Sequence, residues 1–158
     1  MDKNLERLKK ILRDLNTVLV AFSGGVDSTF LLYMANKVIQ GKVIAVTAHS
    51  SIHSESEIEF AQKLAKRLNI KHLMIRSSEM NLPDFVANTK EKCYFCKKML
   101  AQDLNKLASE LGVTHIAHGA NLDDLDDYRP GFKAAVEMGM IAPLLDAKMT
   151  KNDIRLLS

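Results

Sequence analysis

Cysteine is scarce in this chain. There are two in 158 residues, both in one Cys-x-x-Cys, Cys93 and Cys96. That number excludes a disulfide framework as the source of stability. Long apolar runs are missing too. The cleanest, Val18–Phe22, falls far short of the ~18 residues a membrane-crossing helix needs. The N-terminus, Met1-Asp2-Lys3-Asn4, lacks the apolar stretch of a signal peptide, so the expected compartment is the cytoplasm. No sign of charge dominates. Lys and Arg number 22 against 19 Asp and Glu, for a net charge of +3, which is too mild and too interspersed to imply a nucleic-acid partner. Internal repeats and low-complexity tracts are absent. What remains, 47% apolar and 26% charged, is the balance of a globular domain. The length suits one domain, which can bury roughly 70% of its unfolded surface.

Short apolar runs alternate with helical patterns. Leu5, Leu8, Leu12 and Leu15 predict an amphipathic helix over 2–15. Residues 17–22 predict a strand buried on both faces. A helix carrying Phe30, Leu31, Met34 and Val38 follows, with Gly41 expected to close it. Residues 42–48 predict a second strand. Ser54 and Glu57 read as a capping box opening a third helix, and 71–76 as a third strand. Residues 77–91 read as a long polar loop, and such loops tend to be functional. A helix is expected from about Cys93 to Leu111, ended by Gly112, then a fourth strand over 113–118. An acidic loop follows, then a short helix over 132–138, an apolar segment over 140–145, and a helix start at Thr150-Lys151-Asn152-Asp153. That last helix has no C-cap signal before Ser158, so the chain reads as the N-terminal domain of a longer protein. The alternation predicts an α/β fold, a doubly wound parallel sheet with helices on both faces. Ligands of such sheets bind at the carboxyl ends of the strands. Residues 23–28, 49–54 and 119–127 fall there.

Ser23-Gly24-Gly25-Val26-Asp27-Ser28 is the most informative segment. Paired glycines permit a tight turn and close approach to a ligand. The helix start behind them favours an anion, and the Ser23 and Ser28 hydroxyls add donors. Asp27 fits beside phosphate when Mg²⁺ lies between them. The segment is not a Walker A loop, because the Lys of that motif is missing. In the acidic loop, Asp123, Asp124, Asp126 and Asp127 read either as a solvated face or as a cation site. On the second reading Asn121 and Asp124 contact nucleotide or metal, with Arg129 a phosphate clamp or a structural partner. The cysteines admit three readings: two small helix-start residues, a redox pair with a lowered thiol pKa, or part of a metal or iron–sulfur site. Two ligands alone are too few for the last. The five histidines show no metal spacing and read as surface or packed residues. The basic residues Lys3, Arg7, Lys9, Lys10 and Arg13 are interrupted by Asp2, Glu6 and Asp14, as on a solvated helix face.

Ser-Gly-Gly-Val-Asp-Ser-Thr resembles the pyrophosphate loop of the N-type ATP pyrophosphatases. That resemblance implies an adenine nucleotide α-hydrolase-like fold (HUP/PP-loop) and cleavage of ATP between its α and β phosphates. Lys92-Cys93-Tyr94-Phe95-Cys96-Lys97-Lys98, Gly119 through Gly131 with its Asp-Tyr-Arg-Pro-Gly, Ala142-Pro143-Leu144-Leu145-Asp146 and Thr150 through Arg155 resemble the LarE group. These are ATP-dependent sulfur transferases that make a pyridinium thiocarboxylate for a nickel-pincer cofactor. The resemblance spans essentially the whole chain, although Ala120 stands where the family commonly has Thr. It implies residues 1–158 as a PP-loop ATP-binding domain, followed in the complete protein by a sulfur-transfer domain.

The site residues implied for ATP are Ala21, Ser23, Gly24, Gly25, Asp27, Ser28, Ala48, Gly119 and Asn121, with the backbone at Ala21 and Ala48 framing adenine. Asp27 and Asp124 are implied for Mg²⁺. Asp27, Ser28, Cys93 and Cys96 are implied for catalysis, the cysteines joining a [4Fe-4S] cluster only with a third cysteine beyond Ser158. The implied partners are ATP and a small carboxylate, a pyridinium dinucleotide, in a homo-oligomer. Alternatives are a tRNA-thiolating or other adenylating enzyme of the superfamily, or a module that holds ATP or AMP without turnover.

Overall fold

A computed structural model of the chain describes residues 2–22, 24–49, 55–76, 90–123 and 136–157. The side chains of residues 90–97 lie outside that description. Four strands, β1 (Thr17–Ala21), β2 (Lys42–His49), β3 (Lys71–Arg76) and β4 (Ile116–Ala117), form one parallel sheet in the order β3-β2-β1-β4. The helices are α1 (Asp2–Arg13), α2 (Val26–Val38), α3 (Glu55–Arg67), α4 (Lys90–Leu111), α5 (Pro143–Asp146) and α6 (Lys151–Leu157).

The sheet is covered on both faces, as its unbroken apolar runs require. Val18, Val20, Phe22 and Ala45 point into a core built with α1, α2, α3, α5 and α6. Leu19, Ile44 and Val46 point the other way, into a core with Leu104 and Ala108 of α4. The strand order reverses between β1 and β4, so the loops leaving those two strands diverge and open a crevice.

Some expectations shift. Gly41 does not cap α2. That helix ends at Val38 with an extended Ile39 as its C-cap. Gly41 is required for another reason: a Cβ there would lie 2.0 Å from the Asn16 carbonyl oxygen, at the left-handed turn (φ 62°) between α1 and β1. Gly112, at φ 72°, does end α4 as expected. The fourth strand is shorter than 113–118. The Thr114 N–H goes to the Thr17 hydroxyl at 3.1 Å, and ladder pairing begins only with Leu19 N–H to His115 O at 2.9 Å. Met140–Leu145 divides into a bridge at Ile141, parallel to Ala117, and the turn of α5, with Pro143 in its first turn. α4 begins at Lys90, three residues before Cys93. The rest of the expected polar loop, 77–89, lies outside the described residues, as does most of the expected helix over 132–138.

Candidate functional site

The β1–α2 turn stands at the carboxyl end of β1. Gly24 adopts φ 86°, a region L side chains rarely enter. A Cβ there would also lie 3.4 Å from the Phe60 ring and 3.6 Å from Ala61 of α3. Gly25 is the N-cap of α2, and no side chain caps it. A helix start of this kind presents backbone N–H groups and the positive end of its dipole to the crevice. Ser28 is buried, its hydroxyl 3.4 Å from the Gly25 carbonyl.

Asp27 rises from the same first turn, and its partners come from elsewhere. Asn121 Nδ2 donates to Asp27 Oδ2 at 3.2 Å, and Lys151 Nζ donates to the same oxygen at 2.9 Å. Asn121 Oδ1 accepts the Asp123 N–H at 2.9 Å, and Asp123 Oδ2 accepts the Lys151 N–H at 2.9 Å. Residues 27, 121, 123 and 151 therefore close a ring of four hydrogen bonds. Asn121 is 2% exposed, so its amide is fixed by these contacts. The backbone below them is fixed as well. Thr150 and Asp153 cap α6 reciprocally at 3.1 Å each, and Leu122 N–H donates to Met149 O at 2.8 Å. Gly119 brings the β4 loop against α2. A Cβ on it would lie 3.0 Å from the Ser28 nitrogen and 3.3 Å from Asp27.

The second oxygen of Asp27, Oδ1, is buried with no hydrogen-bond donor among the described residues. A carboxylate oxygen left without a donor at a helix start suits a hard cation. Among the described residues no three His, Cys, Asp or Glu side chains cluster as a metal cage. That fits Mg²⁺, which is usually held by one or two carboxylates together with substrate phosphates.

Of the sequence-predicted residues, Gly24, Gly25, Asp27, Ser28, Gly119 and Asn121 converge on the crevice between β1 and β4. Ala21 and Ala48 lie near the carboxyl ends of neighbouring strands, Ala21 paired with Val46 and Ala48 with Ile75. Strand alternation puts both on the face that α4 covers. Ser23, Asp124 and Arg129 lie outside the described residues. Cys93 and Cys96 are the fourth and seventh residues of α4 rather than its opening. Lys151 was missed as a site residue. The helix start at Thr150 was legible, but nothing in the spacing said that its lysine reaches Asp27, 124 positions earlier. A cavity of about 350 Å³ lined by Gln62, Lys66, Asn69, Ile70, Lys71 and His72 lies at the α3–β3 connection, away from this crevice. Arg7 of the basic helix is turned to structure, donating to Ala147 O and Asn4 Oδ1 at 3.2 Å each, and Lys9 pairs with Glu6.

A family model described as a PP-loop domain matches residues 1–127. An uncharacterized protein of Synechocystis is 39% identical over the whole chain, which covers 59% of that relative. The pyridinium-3,5-bisthiocarboxylic acid mononucleotide synthase of Lactiplantibacillus plantarum is 36% identical over 93% of the chain and 54% of its own length. The chain thus spans little more than half the length of either. In fold it is similar to the NH3-dependent NAD synthetase of Campylobacter jejuni, with a TM-score of 0.71 and 17% identity, covering 99% of this chain and 71% of that one. It is similar also to the U34-tRNA thiolase of Methanococcus maripaludis, with a TM-score of 0.70 and 21% identity, covering 99% and 63%. No helix among the described residues is long and apolar enough to cross a membrane.

Proposed function

The chain belongs to the PP-loop family, and on that premise we propose that it is the ATP-binding part of an enzyme that activates a carboxylate by adenylation for sulfur transfer. The observation that carries this reading is Asp27. Its carboxylate stands at the start of α2 beside a glycine turn, is held through one oxygen by Lys151 and Asn121, and keeps the other oxygen without a donor among the described residues. The likeness to a pyridinium-3,5-bisthiocarboxylic acid mononucleotide synthase supports a pyridinium carboxylate as acceptor, a mononucleotide rather than the dinucleotide expected from the sequence.

The β and γ phosphates of ATP lie over Gly24, Gly25 and Ser28, with Ser23 a further candidate from the sequence, and Ala21 and Ala48 frame adenine. Gly119 and Asn121 form the opposite side. An acceptor carboxylate oxygen attacks the α phosphorus. The bond to the oxygen bridging the α and β phosphates breaks, and pyrophosphate leaves with that electron pair. The backbone N–H groups of the helix start and the Lys151 ammonium stabilise the leaving charge. Mg²⁺, held by Asp27 Oδ1 with Asp124 a second candidate, would neutralise the phosphate oxygens. Sulfur at the sulfide level then attacks the acyl carbon of the adenylate, and AMP departs. Cys93 and Cys96 are proposed sulfur-handling residues for that later step. Two thiols are fewer than the ligand set of a [4Fe-4S] cluster, so residues 1–158 do not by themselves fit one. We assign the adenylation step to residues 1–158, the sulfur step to a further domain acting with Cys93 and Cys96, and the working state to a homo-oligomer.

The test is pyrophosphate release from MgATP by the full-length protein, with and without a carboxylated pyridinium mononucleotide, in wild type and Asp27→Ala. Release that requires both the acceptor and Asp27 is expected. Tight ATP binding with no release on that acceptor would remove the substrate assignment and turn the search to tRNA.

A further inference from the structure

We propose that Thr47 and His72 form a positioning relay that fixes the chain where it leaves the sheet and enters the phosphate loop. Neither residue touches the crevice, and the relay's importance rests on the reading of that loop as an ATP site.

Phe22 is the first residue past β1, and Ser23 follows it. Its N–H still donates to Val46 O of β2 at 2.9 Å. Its carbonyl accepts the Thr47 hydroxyl at 2.7 Å. Thr47 is 7% exposed, and its oxygen also lies 2.7 Å from His72 Nε2 on β3. One hydroxyl has one hydrogen. Given to Phe22, it leaves the Thr47 oxygen only as an acceptor toward the imidazole, so the ring proton sits on Nε2. Burial holds the His72 pKa below its ordinary value, which keeps the ring neutral and Nδ1 bare. The imidazole also stands edge-on to the Phe22 ring, 84° between planes with centroids 5.8 Å apart. Backbone, carbonyl and ring of Phe22 are thus all held from β2 and β3 before the chain turns through Gly24 at φ 86°. A glycine turn is conformationally permissive, so its aim depends on how firmly the residue before it is held.

Two measurements on the full-length protein test this. Long-range ¹H–¹⁵N NMR of the wild type should find the His72 proton on Nε2; a proton on Nδ1 overturns the relay whatever the variants do. Thr47→Val keeps the shape and the β-branch but removes the hydroxyl, orphaning both the Phe22 carbonyl and the His72 N–H. Its MgATP dissociation constant should rise about tenfold at a temperature where it remains fully folded, and Thr47→Ser should restore wild-type affinity. A Thr47→Val protein that melts earlier but binds MgATP as tightly as wild type would show a purely structural role and sink the proposal. A wild type that does not bind MgATP would instead refute the ATP reading, with the tautomer measurement still deciding the relay.

Discussion

The two sides of the crevice are built by opposite means. One side is a single contiguous stretch, β1 running through Gly24 and Gly25 into α2. Its geometry follows from local chemistry: a buried strand, a left-handed glycine and a helix start. The other side is assembled from pieces far apart in the chain. Asn121 and Lys151 reach Asp27 across 94 and 124 residues, and their backbone is secured by α6 capping and by contacts from α1. The contiguous side is set mainly by its own short sequence, with its exit from β1 held by Thr47 and His72. The assembled side exists only when the whole domain has folded. Anion affinity therefore belongs mainly to the first, and the alignment of charge around Asp27 mainly to the second.

Lys151→Met is the sharpest way to separate them. It removes the cation of the assembled side and leaves the glycine turn and helix start of the contiguous side in place. Acceptor-dependent pyrophosphate release should fall by about 100- to 1,000-fold, with ATP binding far less affected, as initial-rate kinetics beside calorimetric titration would reveal. Equal losses in both would mean that the two sides are not separable.

Gly119→Ala pushes the sides apart, because the added methyl meets the backbone of Ser28 and Asp27. A shift of this kind should cost on the order of 100-fold in turnover while the circular dichroism stays that of the wild type. Unchanged turnover would mean the crevice tolerates widening.

How far each side could be read in the sequence follows the same division. β1, β2, β3, α2, the glycine turn and the position of Asp27 in it were legible, because apolar runs, helical spacing and Gly-Gly before a helix act over a few residues. β3 falls where its apolar run placed it. Gly41 misled, because a glycine after a helix looks like a cap whether or not it is one; its actual reason, the Asn16 carbonyl, comes from another turn. Lys151 was legible as part of a helix start but not as a partner of Asp27, since no periodicity encodes a contact across 124 residues. Thr47 and His72 looked like ordinary strand residues for the same reason.

Smaller effects sharpen the contrast. Arg7 donates to Ala147 O at 3.2 Å and Asn4 to Lys148 O at 3.2 Å, holding the left-handed turn at Lys148 (φ 61°) that leads into α6. Arg7→Ala should lower stability by about 1 kcal/mol in denaturant titration and reduce turnover more than ATP affinity. A loss confined to affinity would contradict the assignment of α1 to the assembled side.

The smallest effect concerns pH, and it reaches the contiguous side through the contacts of His72 with Thr47 and Phe22. Burial lowers the His72 pKa in the folded chain, so the unfolded chain takes up this proton more readily. The stability tied to a neutral His72 is fully present above the ordinary value of 6.5 and declines as pH falls below it. His72→Gln should flatten that part of the stability profile in thermal melts from pH 7.5 down to 5. A variant profile parallel to the wild type would place the titration elsewhere.

The contact of Gly41 with Asn16 has a consequence for anyone who would re-engineer this scaffold. At that end of the sheet two connecting turns meet backbone to backbone, and even a methyl group has nowhere to go. Peptide insertions, reporter fusions and randomised libraries should therefore fail there by misassembly of the sheet. The opposite end, where the loops diverge, is where new sequence can be admitted and new acceptor specificities selected.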